Sequence, residues 1–359
     1  MTLADLKKIY KGKKVFLTGH TGFKGAWMLY VLHQLGAEIK GYALAPERKN
    51  DLFHLIKGDT LCDSIIADIR DVKRLQKEIK NFQPDFVFHL AAQPLVRLSY
   101  EKPLETIEVN ALGTGNVLES LKSINKFCAA VMITTDKVYE NKEWIYPYRE
   151  EDRLGGYDPY SMSKACAELI ISSYRNSFFN IAKVKEHKKA IASARAGNVI
   201  GGGDWSTDRL IPDIAKALSK GDKIHIRNPK AIRPWQHVIE CISGYLELGA
   251  ALKNNPEKYS EAWNFGPYTQ DNITVDMVLN DFISIWGKTK SKILFEKAVL
   301  HEAKFLALDI SKTVNTLQWK PKYGWKEAVK ITAEWYAVYH QKPSDVMNLM
   351  QNTVKNYFE

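Results

Sequence analysis

Cysteine is scarce in this chain, and the little there is forms no pattern. The four residues, Cys62, Cys128, Cys166 and Cys241, include no C-x-x-C pair and make no His/Cys cluster with zinc-ligand spacing. That argues against a zinc-ribbon fold and a disulfide framework, and no metal site is expected. Buried free thiols in a reducing cytoplasm are the expectation instead. No apolar run is long enough to span a bilayer. The first residues are polar and basic, unlike a secretory leader, so a cytoplasmic protein is expected. Low-complexity segments and repeat periods are also missing, which argues against solenoids.

Acidic residues are in the minority, 41 against 51 Lys plus Arg, for a net charge of +10. The basic residues are densest at 7–14 and 183–189, but no nucleic-acid-binding motif accompanies them. They read as solvated surface, and nucleic acid is not an expected partner. A positive field of this kind favours capture of an anionic ligand such as a diphosphate.

What the chain does have is an alternation of short β-branched runs with amphipathic stretches. Residues 15–18, 39–44, 65–67, 86–90, 129–134 and 190–196 read as six buried strands. Helical patterns separate them, including one long helix over 104–124 and one starting near Pro159. This predicts an α/β fold with a doubly wound parallel (Rossmann) sheet. After about residue 200 the pattern gives way to Gly-, Trp- and Pro-rich segments, such as Gly201-Gly202-Gly203-Asp204-Trp205 and Arg233-Pro234-Trp235-Gln236-His237. Residues 1–200 are therefore expected to form a dinucleotide-binding domain that carries the catalytic residues. Residues 201–359 are expected to form mainly a smaller substrate-binding lobe, with some segments crossing back.

The first strand runs into Gly19-His20-Thr21-Gly22-Phe23-Lys24-Gly25. Gly19 permits a tight turn, Gly22 a close approach of backbone to a pyrophosphate, and Gly25 the packing of helix on strand. The helix N-terminus then offers free N–H groups and partial positive charge to phosphates. The second strand ends Ala43-Leu44-Ala45 without the acid that usually holds the adenosine ribose, so this turn alone leaves NAD and NADP open. Asp68, at the end of the third strand, is either an adenine contact or an ordinary strand-end cap.

Tyr160-Ser161-Met162-Ser163-Lys164 reads Y-x-x-x-K at the start of a helix. Positions i and i+4 share one face, so phenol and ammonium can point into one site. A cation beside the phenol, together with a positive nicotinamide ring, is expected to lower its pKa and make it a proton acceptor for an alcohol.

Together with Leu90-Ala91-Ala92-Gln93, Asn110 and Gly113-Thr114, these motifs resemble the extended short-chain dehydrogenase/reductase family. Within it, the strings T-G-H-T-G-F-K-G, T-T-D-K-V-Y-E-N, A-R-A-G-N-V-I-G-G-G-D-W and R-P-W-Q-H-V are similar to those of nucleotide-sugar 4,6-dehydratases. The resemblance covers nearly the whole chain. It implies NAD as cofactor, a CDP-hexose as substrate and a homodimer or homotetramer. Gly19, Thr21, Gly22, Phe23, Lys24, Gly25, Asp68, Leu90, Ala91, Ala92, Tyr160 and Lys164 are then the expected cofactor contacts.

The reaction that the resemblance implies needs more than a tyrosine. Oxidation at C4 acidifies the C5 proton; a base removes it while an acid protonates the departing C6 hydroxyl. Asp136, just beyond the fifth strand, is the candidate acid, since burial can keep a carboxyl protonated. Related dehydratases have Glu where this chain has Lys137, which leaves Lys137 as either the C5 base or a cation that stabilises the enolate. Thr135 is expected to hydrogen-bond the sugar 4-hydroxyl. The resemblance places Asn198 on the substrate diphosphate, and Arg233 is suited to bidentate phosphate binding. Trp235 and His237 either line the nucleotide pocket or pack the lobe.

Overall fold

The computed structural model describes residues 1–296, 303 and 305–359. Seven parallel strands form the central sheet: β1 (Lys14–Thr18), β2 (Glu38–Ala43), β3 (Asp63–Ile66), β4 (Phe86–His89), β5 (Cys128–Ile133), β6 (Lys189–Ala196) and β7 (Ala262–Phe265). Their order is β7-β6-β5-β4-β1-β2-β3. All six neighbouring pairs are parallel. Strands β4, β5, β6 and β7 are buried at every position, as expected for a sheet covered on both faces. Residues 1–200 supply six of the seven strands, and β7 comes from beyond residue 260.

Helices α1 (Leu3–Tyr10), α2 (Phe23–Gln34), α3 (Val72–Phe82), α4 (residues 103–121), α5 (Pro159–Ser177), α6 (Leu210–Lys220), α7 (Val238–Asn254), α8 (Trp325–Gln341) and α9 (Val346–Phe358) surround it. Four of these nine begin at a side-chain cap. Asp71 accepts from the Arg74 N–H ahead of α3, and Asp158 accepts from the Ser161 N–H ahead of α5 with Pro159 in the first turn. The expected helix over 104–124 is not one regular helix. A π-helical turn at Glu108–Leu112 interrupts α4 and turns Asn110 inward. Its side-chain amide donates to the Gln93 carbonyl (3.0 Å) and to Ser163 Oγ (2.9 Å).

The strand order reverses between β1 and β4, and the crevice at their carboxyl ends is where a doubly wound sheet binds its ligand. A cavity of about 1640 Å³ opens there.

Candidate active site

The glycine turn shapes the entrance. Gly19 has φ +74°, and a Cβ on it would lie 2.7 Å from the Ala91 nitrogen. A Cβ on Gly25 would lie 1.9 Å from the Gly19 carbonyl oxygen, so only glycine lets α2 start so close to β1. At Gly22 the nearest atom would be 3.5 Å away, which leaves room above the turn. Helix α2 has Gly22 as N-cap and no side-chain cap, so its first N–H groups are open to the cavity. Thr21, Phe23, Lys24, Leu90, Ala91 and Ala92 line the same wall. Thr18 Oγ1 accepts from the Leu90 and Ala91 N–H groups, both at 3.1 Å, and ties the two strand ends together. These features fit a dinucleotide pyrophosphate. Asp68 lines the far end, where Arg70 grips its carboxylate at 2.7 Å and holds it below the usual carboxylate range.

Tyr160 and Lys164 lie across the cavity. Helix α5 is anchored by Asp158 and by Ser99 Oγ, which accepts from the Tyr160 N–H at 3.1 Å. Tyr160 and Lys164 then stand one turn apart, facing the carboxyl end of β5. Lys164 Nζ donates to the Ile133 carbonyl at 3.2 Å. Burial, helped by the charge of Lys24, pulls it down to about 8. The expected lowering of the phenol does not hold for the protein alone. Burial pushes Tyr160 up to about 12, against the opposing pull of its hydrogen bond to Thr135 and of Arg209. The Lys164 ammonium is spent on a backbone carbonyl, and desolvation wins.

Thr135 Oγ1 also donates to Asp136 Oδ1 at 2.9 Å, and Lys137 Nζ donates to the same oxygen at 3.1 Å and to Asn198 Oδ1 at 3.3 Å. One threonine hydroxyl thus touches both the phenol and the carboxylate. Thr135, Lys137 and Asn198 face the cavity. Asp136 sits just behind its wall, 0% exposed, and its Oδ2 has no partner in the protein.

Under this layer lies an ion pair that no sequence motif marks. Glu168, one turn beyond Lys164, accepts from Arg195 Nη2 at 2.9 Å, Ser193 Oγ at 2.8 Å and Thr134 Oγ1 at 2.5 Å. Their side chains are 3% and 5% exposed. The pair joins α5 to β6 and to the end of β5, one turn along α5 from Lys164. Breaking a buried pair strands a charge, so Glu168→Ala should cost about 3–5 kcal/mol of stability. Urea unfolding would measure it, and a loss below about 1 kcal/mol would mean that Arg195 finds water or another partner.

The four substrate candidates separate. Asn198 and Arg233 line the cavity; Arg233 Nη1 is held by the Ile232 carbonyl at 2.8 Å. Trp235 reaches the cavity but is buried, with its indole N–H on the Ile273 carbonyl at 3.3 Å. His237 does not reach it. It is fully buried, accepts from the Ile239 N–H at 3.3 Å as the cap of α7, and lies edge-on to Trp27. Burial pulls it to about 3, so it is a neutral packing residue rather than a substrate contact. Arg209, which no sequence motif marks, lines the cavity, pairs with Asp204 at 2.8 Å and acts on Tyr160. It follows the Gly-rich 201–205 loop, and only the fold carries it back to the site. No group of three His, Cys, Asp or Glu suited to a metal occurs among the described residues.

The profile of the family described as GDP-mannose 4,6-dehydratase matches residues 16–332. The chain is 48% identical to CDP-glucose 4,6-dehydratase of Salmonella typhimurium over 330 residues, 92% of either chain. Among solved structures, it is similar to dTDP-glucose 4,6-dehydratase from Streptomyces venezuelae with NAD bound, at TM-score 0.77 and 19% identity, over 94% of this chain and 99% of that one. It is also similar to the NAD complex of dTDP-glucose 4,6-dehydratase from Bacillus anthracis, at TM-score 0.74 and 21% identity, over 94% and 100%.

Proposed function

Since this chain belongs to the GDP-mannose 4,6-dehydratase family, nucleotide-sugar 4,6-dehydratases of the extended short-chain dehydrogenase/reductase group, we propose that it converts CDP-glucose to CDP-4-keto-6-deoxyglucose. The observation that carries this reading is that Thr135, on the cavity wall under an uncapped helix end, links Tyr160 to Asp136 just behind that wall. A 4-epimerase has no use for an acid at C6. The choice of CDP and glucose rests on the 48% identical relative.

The glycine turn and the wall formed by Leu90, Ala91 and Ala92 would hold NAD, which would supply the hydride acceptor and donor. The chain's own groups move the protons. Tyr160 takes the proton of the C4 hydroxyl, aligned by Thr135. Lys137 takes the C5 proton, and Asp136 gives one to the C6 hydroxyl, which leaves as water. Moving one proton across the 3.1 Å contact from Lys137 Nζ to Asp136 produces the amine and the acid that this step needs. Lys137 afterwards returns a proton to C5 as C6 is reduced. The proton gained by Tyr160 balances the one spent by Asp136, and the Thr135 hydroxyl lies between them. Asn198, Arg233 and Arg209 line the cavity, which supports a role for them in holding the diphosphate, with Trp235 as a packed wall.

Exposed Leu104 and Leu112 on α4 and Leu169 on α5 support self-association through those two helices. Among the described residues no helix is long and apolar enough to cross a membrane. That and four free cysteines support the cytoplasm as the working compartment.

Incubation with NAD and a panel of nucleoside-diphosphate hexoses tests the assignment. CDP-glucose should give a product lighter by one water and outpace the other sugars. A product of unchanged mass would make the protein an epimerase, and faster turnover of another nucleotide would displace CDP.

A further inference from the structure

Arg97 lies on the short helix Val96–Glu101, which follows the Leu90-Ala91-Ala92 wall, and it lines the cavity. Its Nη1 donates to Asp208 Oδ1 at 2.7 Å, across 111 residues of sequence. Arg227, just beyond the short strand Ile224–Ile226, donates to the same oxygen at 3.4 Å. Asp208 and Arg227 line the cavity too, so arginines from two distant segments meet one carboxylate at its wall. Arg48 and Arg209, in the same cavity, instead pair with acids of their own segments, Asp51 and Asp204.

The contact at Asp208 is suited to exchange. The Arg97 and Asp208 side chains are 38% and 42% exposed, and ion pairs so open to water hold weakly. Asp204, which holds Arg209, is by contrast buried. Asp208 also sits at φ +60°, in the left-handed region that Asp and Asn tolerate better than other side chains. A guanidinium takes a carboxylate or a phosphate through the same fork of N–H groups, and a diphosphate brings more charge and more oxygens than one carboxylate. Arg209, the next residue, lines the cavity and acts on Tyr160, so Asp208 stands beside the groups read above as holding the diphosphate.

We propose that Asp208 stands in for substrate: its carboxylate holds the Arg97 and Arg227 guanidiniums in the ligand-free protein, and the diphosphate of an incoming nucleotide sugar takes its place between them. The proposal rests on the reading that this cavity receives a nucleotide sugar, and adds to it two phosphate-binding arginines and an internal competitor. Without the carboxylate, two like charges would face each other across the site. With it, substrate affinity is lowered by the fraction of molecules in which the bridge is closed.

The test is calorimetric binding of CDP to the NAD-saturated protein; CDP carries the diphosphate but no hexose, so nothing is turned over. Asp208→Asn removes the charge, keeps the size and suits a left-handed backbone, and it should tighten CDP about threefold or more. Asp208→Gly, which the same backbone accepts, should do likewise. Arg97→Gln should weaken CDP, and about threefold more in the Asp208→Asn background than in the wild type, where it also disarms the competitor. Asp222→Asn removes an equal charge from an exposed position on the same cavity wall and should change affinity less than about twofold. Equal tightening by Asp222→Asn would reduce the effect to a general field and overturn the proposal. Unchanged or weaker binding by both Asp208 variants, with the fold intact by circular dichroism, would overturn it as well, as would Arg97 and Asp208 effects that simply add. Failure of the wild type to bind any of CDP, UDP and GDP would instead remove the reading on which the proposal rests.

Discussion

Tyr160→Phe should lower turnover by about 10²–10⁴-fold, the usual worth of a positioned general base. Nucleotide-sugar affinity should stay within a few fold, because the ring is buried and Phe keeps its packing. The sign of the pH dependence follows from the same residue. A base works only after losing its proton, and burial, the largest cause, pushes the phenol up to about 12. C4 oxidation should therefore quicken as pH rises through neutrality, and single-turnover formation of reduced cofactor would measure it. A rate that falls across that range, or near-normal turnover of the Phe variant, would take the phenol out of the chemistry.

Asp136→Asn should separate the two halves of the reaction. Its carboxylate is 0% exposed, bonded at one oxygen by Thr135 and Lys137 and unpartnered at the other. An amide keeps the shape and the Thr135 contact but cannot protonate a departing hydroxyl. Oxidation at C4 should proceed, elimination should slow by about 10²-fold or more, and reduced cofactor should accumulate as a near-ultraviolet absorbance. The 4-ketohexose nucleotide that still carries its C6 hydroxyl should be recoverable by mass. Normal dehydration by this variant would mean that another group serves C6.

The sheet was legible because burial writes itself into composition. Residues 128–133 and 189–196 hold few polar side chains, and they lie at the centre of a sheet covered on both faces. The turn was legible because two of its glycines, Gly19 and Gly25, sit where a Cβ collides with backbone. The break in α4 was not, since one extra residue in a helical turn leaves the apolar period almost unchanged. Arg209 and Glu168 were missed for a different reason. Each is an ordinary charged residue in its own segment, and only tertiary proximity gives it a role. His237 shows the reverse: its neighbours in sequence suggested a pocket, while its backbone position makes it a helix cap.

The direction of the Tyr160 shift also lay beyond the sequence. Spacing alone gives the neighbour of a phenol but not what that neighbour is bonded to. Lys164 is turned toward the Ile133 carbonyl, so the protein by itself leaves the phenol protonated. Activation is thereby deferred until ligands fill the cavity, which keeps an idle site from holding a reactive tyrosinate.

Strand β7 pairs with β6 although the two are separated by the whole of α6 and α7. On the ribosome, Lys189–Ala196 emerges long before Ala262–Phe265, so a sheet margin that is buried in the finished fold waits bare for its last partner. Any stop codon or protease cut between them leaves that margin ready to zip onto a second nascent chain. The seam near residue 200 that the amino-acid pattern suggests is thus a poor place to divide this molecule for expression.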